Sequence, residues 1–185
     1  MQEKLCGIDE AGRGPLAGDL VMAGCILSAH VEGLNDSKKL TEKKREMLFE
    51  QIIQNANYHI VKFSAHEIDR DGISLCLKRG LLEIKETLEC KNYLFDGNSS
   101  YGVTGIETMI KADGKIAEVS AASILAKVTH DRDILLLAKE YPQYELHKHK
   151  GYGTARHVEL IKEFGYSDIH RKSYKIKALE KTLFD

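Results

Sequence analysis

Residues 5–24 read Leu-Cys-Gly-Ile-Asp-Glu-Ala-Gly-Arg-Gly-Pro-Leu-Ala-Gly-Asp-Leu-Val-Met-Ala-Gly. A short apolar run ends here in two adjacent acids, Asp9 and Glu10, and a glycine-rich turn that carries Arg13 leads into a second apolar run. About ten residues separate the two runs, which is fewer than the dozen or more that a parallel crossover needs. The stretch therefore predicts an antiparallel pair of strands whose connecting turn lies beside two carboxylates.

Composition excludes several classes of protein. The chain has 185 residues, enough for one domain with a sizeable core, and it is 43% hydrophobic and 30% charged. It contains no apolar run of membrane-spanning length and opens without a signal-peptide pattern, which predicts a cytoplasmic protein that does not enter a membrane. The four cysteines are scattered without a C-x-x-C pair, so we expect buried thiols.

Charge is distributed unevenly along the chain. Residues 146–177 contain eight Lys or Arg and three acids, a balance of +5, so the remainder carries −6 of a net charge of −1. A basic C-terminal part would suit a polyanionic partner, and a solvated charged face explains the same pattern equally well.

Hydrophobic periodicity and turn residues predict both strands and helices. Strands are predicted at 5–9, 20–28, 58–65, 93–95 and 105–112. Helices are predicted at 41–55, 66–72, 73–88, 116–140, 154–164 and 173–183. This order predicts a single α/β domain over residues 1–185, with one mixed sheet covered by helices and a basic, helical C-terminal part from about residue 146.

Four acids share one kind of position, the C-terminal end of a predicted strand: Asp9, Glu10, Asp96 and Asp113. Carboxylates that converge at one sheet edge repel one another unless a cation neutralises them. Oxygen ligands without nearby His or Cys favour Mg²⁺ or Mn²⁺, and two such ions, roughly 3.5–4 Å apart, would support in-line phosphodiester hydrolysis. Each of the two Asp-Gly pairs alone also fits a plain turn.

The glycine turn, defined here as Gly12, Arg13 and Gly14, has two interpretations. A dinucleotide-binding G-x-G-x-x-G is disfavoured because Gly18 comes one residue too late and a strand follows where a helix is required. The alternative is a turn whose bare backbone lets a sugar-phosphate approach, with Arg13 on a phosphate. Backbone groups that approach so closely can test for a 2′-hydroxyl, which distinguishes RNA from DNA.

Six blocks of sequence, in order, resemble the ribonuclease HII family. They are residues 7–18 (Gly-Ile-Asp-Glu-Ala-Gly-Arg-Gly-Pro-Leu-Ala-Gly), 36–41 (Asp-Ser-Lys-Lys-Leu-Thr), 95–98 (Phe-Asp-Gly-Asn), 111–114 (Lys-Ala-Asp-Gly), 121–128 (Ala-Ala-Ser-Ile-Leu-Ala-Lys-Val) and 149–154 (His-Lys-Gly-Tyr-Gly-Thr). The resemblance covers nearly the whole chain. It implies an α/β ribonuclease H-like fold, in which a central mixed five-stranded sheet is flanked by helices.

The resemblance also implies a role for particular residues. The catalytic and metal-binding residues would be Asp9, Glu10, Asp96 and Asp113. The substrate-binding residues would be Gly12, Arg13 and Gly14 at the 2′-hydroxyl, Tyr152 on the next sugar, and Lys39, Ser123, Lys127 and Lys150 on backbone phosphates. Asp19 and His130 depart from the family pattern, which commonly has Pro and Arg there, so we expect them to affect substrate positioning and not the chemistry.

The activity that the resemblance implies is an endoribonuclease that uses Mg²⁺ or Mn²⁺, with two ions in catalysis. It would hydrolyse the RNA strand of RNA–DNA hybrids and cut on the 5′ side of ribonucleotides in duplex DNA, leaving 3′-hydroxyl and 5′-phosphate ends. We expect a monomer. Residues 179–185 lack the paired aromatics of a sliding-clamp-binding peptide, so no clamp binding is expected.

Several alternatives stay open at this point. One is a non-catalytic module that binds hybrids, which the presence of all four acids argues against. Another is a metal-dependent DNA nuclease on the same fold, which the glycine turn argues against. The H-x-H at His147 and His149 has no further ligand to complete a zinc site, so surface or phosphate-contact positions are expected.

Overall fold

The computed structural model describes residues 4–35 and 37–176. Its five strands are β1 (Leu5–Ala11), β2 (Leu20–Leu27), β3 (Ala56–Phe63), β4 (Asn92–Asp96) and β5 (Glu107–Met109). They form one sheet in the order β3-β2-β1-β4-β5. Strand β1 is antiparallel to β2 and parallel to β4. The sheet is therefore mixed, and the predicted antiparallel pair is confirmed.

Helices cover both faces of this sheet. They are α1 (Glu42–Asn55), α2 (Ala65–Asp71), α3 (Ile73–Thr87), α4 (Ala117–Glu140), α5 (Leu146–His149) and α6 (Ala155–Phe164). Helices α1 and α4 pack on one face, and α2 and α3 pack on the other. Helices α5 and α6 belong to a smaller cluster beyond the end of α4. The α/β class and the five-stranded sheet with flanking helices are thus confirmed.

Strand β2 shows why the sheet is buried on both faces. Side chains alternate across a strand, so Val21 and Ala23 face α1 and α4 while Leu20 and Met22 face α3. On β1, a Cβ at Gly7 would lie 2.2 Å from the backbone carbon of Glu118. Glycine at this position therefore allows α4 to lie directly on β1, close to the acids at the end of that strand.

Two of the predicted elements differ from the structure where it describes them. The strand predicted at 105–112 is only Glu107–Met109, and the acid that follows lies on a one-turn 3₁₀ helix, Ala112–Gly114, instead of at a strand end. The helix predicted at 173–183 is absent from its described part, 173–176, and the rest lies outside the described residues, as does the 179–185 tail.

The expected burial of the cysteines holds for three of the four. Cys6, Cys25 and Cys76 are buried, Cys90 is half-buried, and all four are free thiols. Across residues 4–35 and 37–176, no helix has both the length and the apolar character that crossing a membrane would require.

Candidate active site

Three of the four predicted acids meet at one edge of the sheet. Because β1 and β4 are parallel, their C-terminal ends lie side by side, and this places Asp9 near Asp96. Asp113 joins them, and one carboxylate oxygen from each residue lies within 4.8 Å of the others. The residues come from three separate segments, so the cluster exists only in the folded chain.

The backbone around Asp113 is shaped to bring this acid to the sheet edge. Lys111 adopts a left-handed conformation, with φ of 58°, just before the 3₁₀ helix. The backbone N–H groups of Lys111 and Asp113 donate to the two oxygens of Asp96, each at 3.0 Å. Ser120, on α4, donates its hydroxyl proton to the carbonyl of Asp113. Asp96 therefore organises the loop that delivers the third acid.

The electrostatics of the cluster favour a bound cation. Asp9 is 8% exposed. Burial, then the charge of Glu10, raises the pKa of Asp9 well above its usual value, with a smaller contribution from the charge of Asp96. Hard carboxylate oxygens this close together, with Asp9 and Asp113 both buried, fit a divalent cation such as Mg²⁺ or Mn²⁺. We therefore regard the cluster as able to hold such an ion.

Glu10 is placed differently from the other three acids. It follows Asp9 on β1 and so projects from the opposite side of the strand. Arg13 Nη1 donates to Glu10 Oε1 at 3.2 Å, and the guanidinium of Arg13 also contacts the hydroxyl of Tyr101. Both Glu10 and Arg13 line the same cavity as Asp9. Glu10 thus lies at the site, between the acid cluster and the glycine turn.

The glycine turn is stabilised by hydrogen bonds from a buried arginine. Gly12 has φ of +83°, a conformation that L side chains rarely adopt. Arg171, 1% exposed, donates to the carbonyl oxygens of Gly12 at 2.6 Å and Gly18 at 2.8 Å. Arg171 and Tyr174 both donate to the carbonyl of Arg13, at 3.2 and 2.9 Å. The carbonyl oxygens of the turn are therefore bound by side chains that are distant in the sequence.

Asp19 and His130, the two residues that depart from the family pattern, lie against Gly12 of this turn. A Cβ at Gly12 would be 2.4 Å from the carbonyl oxygen of Asp19 and 2.5 Å from the ring of His130. His130 is 1% exposed, and its Nδ1 lies 3.3 Å from Asp131. Neither residue touches the acid cluster in the described contacts, and their effect on substrate positioning stays a prediction.

A cavity of about 260 Å³ opens between the acids and the turn. It is lined by Asp9, Glu10, Ala11, Gly12, Arg13, Gly14, Ser37, Ser123, Lys127 and Tyr152. At its floor the hydroxyls of Ser37 and Ser123 are 2.8 Å apart. Lys127 donates to Asp131 at 2.8 Å, which orients its ammonium group. Burial raises the pKa of Asp131, but hydrogen bonds from His130 and Lys127 outweigh it and hold that pKa at about 2.

Tyr152 forms part of the cavity lining. Its side chain is 44% exposed, and a Cβ at Gly14 would lie 3.6 Å from its ring. Lys150 precedes it in a left-handed conformation, half-buried and outside the cavity lining. Lys39 is exposed on a short 3₁₀ helix, Ser37–Lys39, and is not among the lining residues either. The structure therefore brings Tyr152 to the site but not these two lysines.

Several residues of the site were not predicted from the sequence. Ser37 lies within residues 36–41, one of the six blocks that resemble the ribonuclease HII family. Arg171 gave no signal, because in the sequence a buried arginine looks like any other basic residue of a basic segment.

The count of eight basic residues overstates the charge available to a partner, since Arg171 is buried, and Lys148 and Arg156 both pair with Glu145, at 2.8 and 2.7 Å. The surface position expected for His149 is wrong, because that ring is 8% exposed.

Comparisons with known proteins agree with this geometry. The ribonuclease HII family model matches residues 6–177. A ribonuclease HII from Sulfurovum sp. (strain NBC37-1) is 58% identical over 181 residues, which are 97% of this chain and 96% of the relative. The ribonuclease HII solved with PCNA from Archaeoglobus fulgidus has a TM-score of 0.81 at 29% identity, over 94% of this chain and 96% of that chain. Ribonuclease H2 from Pyrococcus horikoshii OT3 has a TM-score of 0.79 at 28% identity, over 96% and 97%.

The class defined by this fold and site is the metal-dependent endoribonucleases of the ribonuclease H kind. Within that class, the chain belongs to the ribonuclease HII family.

Proposed function

We propose that this protein cuts the RNA strand of RNA–DNA hybrids and the 5′ side of single ribonucleotides in duplex DNA. The observation that carries the proposal is the position of the glycine turn, which lines one cavity together with Glu10 and with Asp9, a member of the acid cluster. A ribose held at the turn would have its phosphate beside the acids. The bond that is cut would then be selected by the sugar that is recognised.

The acids would hold the divalent cations. Asp9, Asp96 and Asp113 form the core of that site, and Glu10 completes it from the other side of β1. When bound, two such ions activate an attacking water and stabilise the leaving oxygen of an in-line displacement. Hydrolysis breaks the bond between phosphorus and the 3′ oxygen, so the products would be a 3′-hydroxyl and a 5′-phosphate.

The substrate contacts come from the chain itself. The backbone of the glycine turn would approach the 2′-hydroxyl, because Gly14 is exposed beside the cavity and lacks a side chain that would block it. Tyr152 would pack on the neighbouring sugar. Ser123 and Lys127 would bind a backbone phosphate within the cavity, and Lys39 and Lys150 would extend the contacts beyond it.

Cleavage of a long RNA–DNA hybrid separates this proposal from a non-catalytic hybrid-binding module. We expect cleavage with Mg²⁺ or Mn²⁺ and none after chelation, while gel-shift binding of the hybrid persists without the metal. Binding without cleavage under every metal condition would favour the binding module and overturn the enzymatic proposal.

Asp113→Asn tests the assignment of the acids. The change removes the charge of one carboxylate but keeps its size, so we expect the cleavage rate to fall at least about a hundredfold, about 2.7 kcal/mol in activation free energy. Affinity for the hybrid should change little, since the duplex is bound mainly by other residues. Single-turnover cleavage and gel-shift titration measure the two effects, and full activity of the variant would remove Asp113 from the site.

A further inference from the structure

Two buried histidines connect the backbone at Tyr152 to residues 167–170. His157 Nδ1 lies 3.0 Å from the carbonyl oxygen of Tyr152, and His157 Nε2 lies 3.2 Å from His170 Nε2. His170 Nδ1 in turn lies 3.1 Å from the backbone nitrogen of Ser167. Both imidazoles are at least 99% buried. We call Ser167, His170, His157 and Tyr152 the histidine relay.

The two ends of the histidine relay determine which nitrogens carry protons. A carbonyl oxygen only accepts, so His157 Nδ1 must carry the proton that it donates to Tyr152. In the neutral ring His157 Nε2 then accepts, and His170 Nε2 must donate to it. His170 Nδ1 is left as an acceptor, which matches the Ser167 N–H because that group can only donate. Every contact is satisfied by two neutral rings and by a single pair of tautomers.

The surroundings of the relay keep both rings neutral. A proton added to His170 would make donors of both its nitrogens. His170 Nδ1 would then face the Ser167 N–H, and the Ser167 hydroxyl, at 2.9 Å, would have to accept in place of donating. Burial, and then the neighbouring His157, lowers the pKa of His170 to about 4. Burial also lowers the pKa of His157. The relay therefore persists at neutral pH.

The backbone next to His170 also ties this segment to the loop that follows the glycine turn. His170 pairs with Ala17 in an isolated antiparallel bridge, and Gly18 N donates to the carbonyl of Ile169 at 2.9 Å. On the other side, Leu16 N donates to the carbonyl of Gly151 at 2.8 Å. Residues 16–18 thus lie between residues 151–152 and the segment that carries His170, and the histidine relay joins those two segments directly.

We propose that His157 and His170 are positioning residues that hold Tyr152 against Gly14, so that its ring is ready to receive the sugar beside the cut. The rings act through the Tyr152 carbonyl and do not touch substrate. This inference rests on the proposed function for its role in cleavage. The structural part, a fixed tautomer pair that orders residue 152, is independent of any activity.

The first test measures the tautomers directly in the wild-type protein. Long-range ¹H–¹⁵N correlation spectra of histidine-labelled protein at neutral pH should show His157 protonated at Nδ1 and His170 protonated at Nε2, both neutral. The opposite tautomer at either ring, or a charged ring, would overturn the relay.

The second test measures the order of residue 152 without an assay of activity. The chain has no tryptophan, so Tyr152→Trp gives a single fluorescent reporter at the site. In that background His157→Phe, which keeps a ring but removes the donor, should lower the fluorescence anisotropy of the reporter. His157→Asn, whose side-chain amide can donate from nearly the same place as Nδ1, should restore it. Unchanged anisotropy in the folded His157→Phe protein would contradict the positioning role.

The third test connects the relay to cleavage, with Tyr152 in place. A lost hydrogen bond contributes about 1 kcal/mol, so His157→Phe and His170→Phe should raise KM for a ribonucleotide-containing duplex roughly fivefold to tenfold with kcat little changed. Leu160→Ala is the matched control, since Leu160 is a buried residue of α6 whose apolar side chain cannot form the hydrogen bonds of the relay. It should lower stability but leave KM unchanged.

The outcomes distinguish the two proposals. If the wild-type protein does not cleave, the proposed function fails, and the tautomers and the anisotropy still decide the relay. If it cleaves and Leu160→Ala raises KM as much as His157→Phe does, the effect is one of stability and the positioning role is wrong.

Discussion

A single buried residue, Arg171, supports the glycine turn. Arg171 is far from the glycine turn in sequence, and its guanidinium donates to the carbonyls of Gly12, Arg13 and Gly18. A planar group with five N–H donors can reach several carbonyls at once, which a lysine cannot do. Burial lowers the pKa of Arg171, yet the group stays charged at neutral pH because its usual pKa is so high.

Replacing Arg171 should therefore destabilise the fold through the turn. Arg171→Met keeps the length of the side chain but leaves the carbonyls of Gly12 and Gly18 without these donors, at a cost of about 1–3 kcal/mol for each buried acceptor. Urea unfolding should show the free energy of unfolding reduced by roughly 2–6 kcal/mol. Lys172→Met, at the exposed neighbour, is the control and should change it by less than about 0.5 kcal/mol. Equal effects of the two changes would contradict the supporting role.

At the scale of elements, the two glycines of the glycine turn have different tasks. Gly12 needs its positive φ and has no room for a Cβ, because the carbonyl of Asp19 would lie 2.4 Å away. Gly14 has an ordinary φ, and a Cβ there would make only a normal contact with Tyr152, at 3.6 Å. The first glycine builds the turn, and the second leaves its surface open.

Alanine substitutions should separate these tasks. Gly12→Ala should lower the free energy of unfolding by at least about 1–2 kcal/mol, the cost of a side chain at positive φ, and more because of the overlap with Asp19. Gly14→Ala should leave the unfolding free energy within about 0.5 kcal/mol but weaken cleavage at a ribonucleotide, since its methyl group would stand where a sugar approaches. A stability loss as large at Gly14 as at Gly12 would show that this division is wrong.

The elements also show what periodicity can and cannot predict. Strands β1 to β4 follow from apolar runs and turn residues, and adjacent acids at the end of β1 have no packing use, so Asp9 and Glu10 stand out. Asp113 was expected at the end of a strand because 105–112 is largely uncharged, yet only three of these residues pair with β4. The turn that delivers this acid depends on backbone hydrogen bonds to Asp96, and local sequence does not encode such contacts.

For the whole molecule, buried neutral histidines make stability depend on pH. The pKa of His170 is about 4 in the folded chain and about 6.5 when exposed, and burial also lowers the pKa of His149 and His157. The unfolded chain therefore binds more protons between pH about 6.5 and about 4, so stability is lost as the pH falls through that window. The titratable groups that oppose protonation of His170 are His157, His149 and Lys172, whereas a hydrogen bond with Ser167 favours it. The rings of Tyr144 and Tyr166 also pack edge-on against His170.

Urea unfolding between pH about 7 and about 4.5 measures this dependence. We expect His170→Gln to reduce the loss of stability on acidification, on the order of 2 kcal/mol, because one titrating ring is removed. Burial and the charge of Glu10 raise the pKa of Asp9, so protonation of Asp9 stabilises the folded chain as the pH falls, opposite to the histidines. Because Asp9 is present in both proteins, the difference between their pH profiles isolates the contribution of His170. Identical pH profiles for the two proteins would contradict a buried neutral His170.

The long-range contacts of the molecule explain why the sequence indicated the residues of the candidate site better than the residues that support them. Acids at strand ends and glycines in a turn are recognisable because their chemistry has few other uses. The residues that hold them in place, such as Arg171 and His170, follow α6 and look like parts of a basic surface segment. Their burial results from the packing of residues 169–171 on residues 16–18, a pairing that separation along the chain conceals.

In the proposed function, one turn recognises the ribose and places the adjoining phosphate at the acid cluster. The most direct measurement is product mapping on a DNA duplex that contains a single ribonucleotide, beside the same duplex made only of DNA, with and without Mn²⁺ or Mg²⁺. We predict one metal-dependent cut, on the 5′ side of the ribonucleotide, that leaves a 3′-hydroxyl and a 5′-phosphate, and no cut in the all-DNA duplex. Equal cleavage of both duplexes, or no cleavage of either, would contradict the claim.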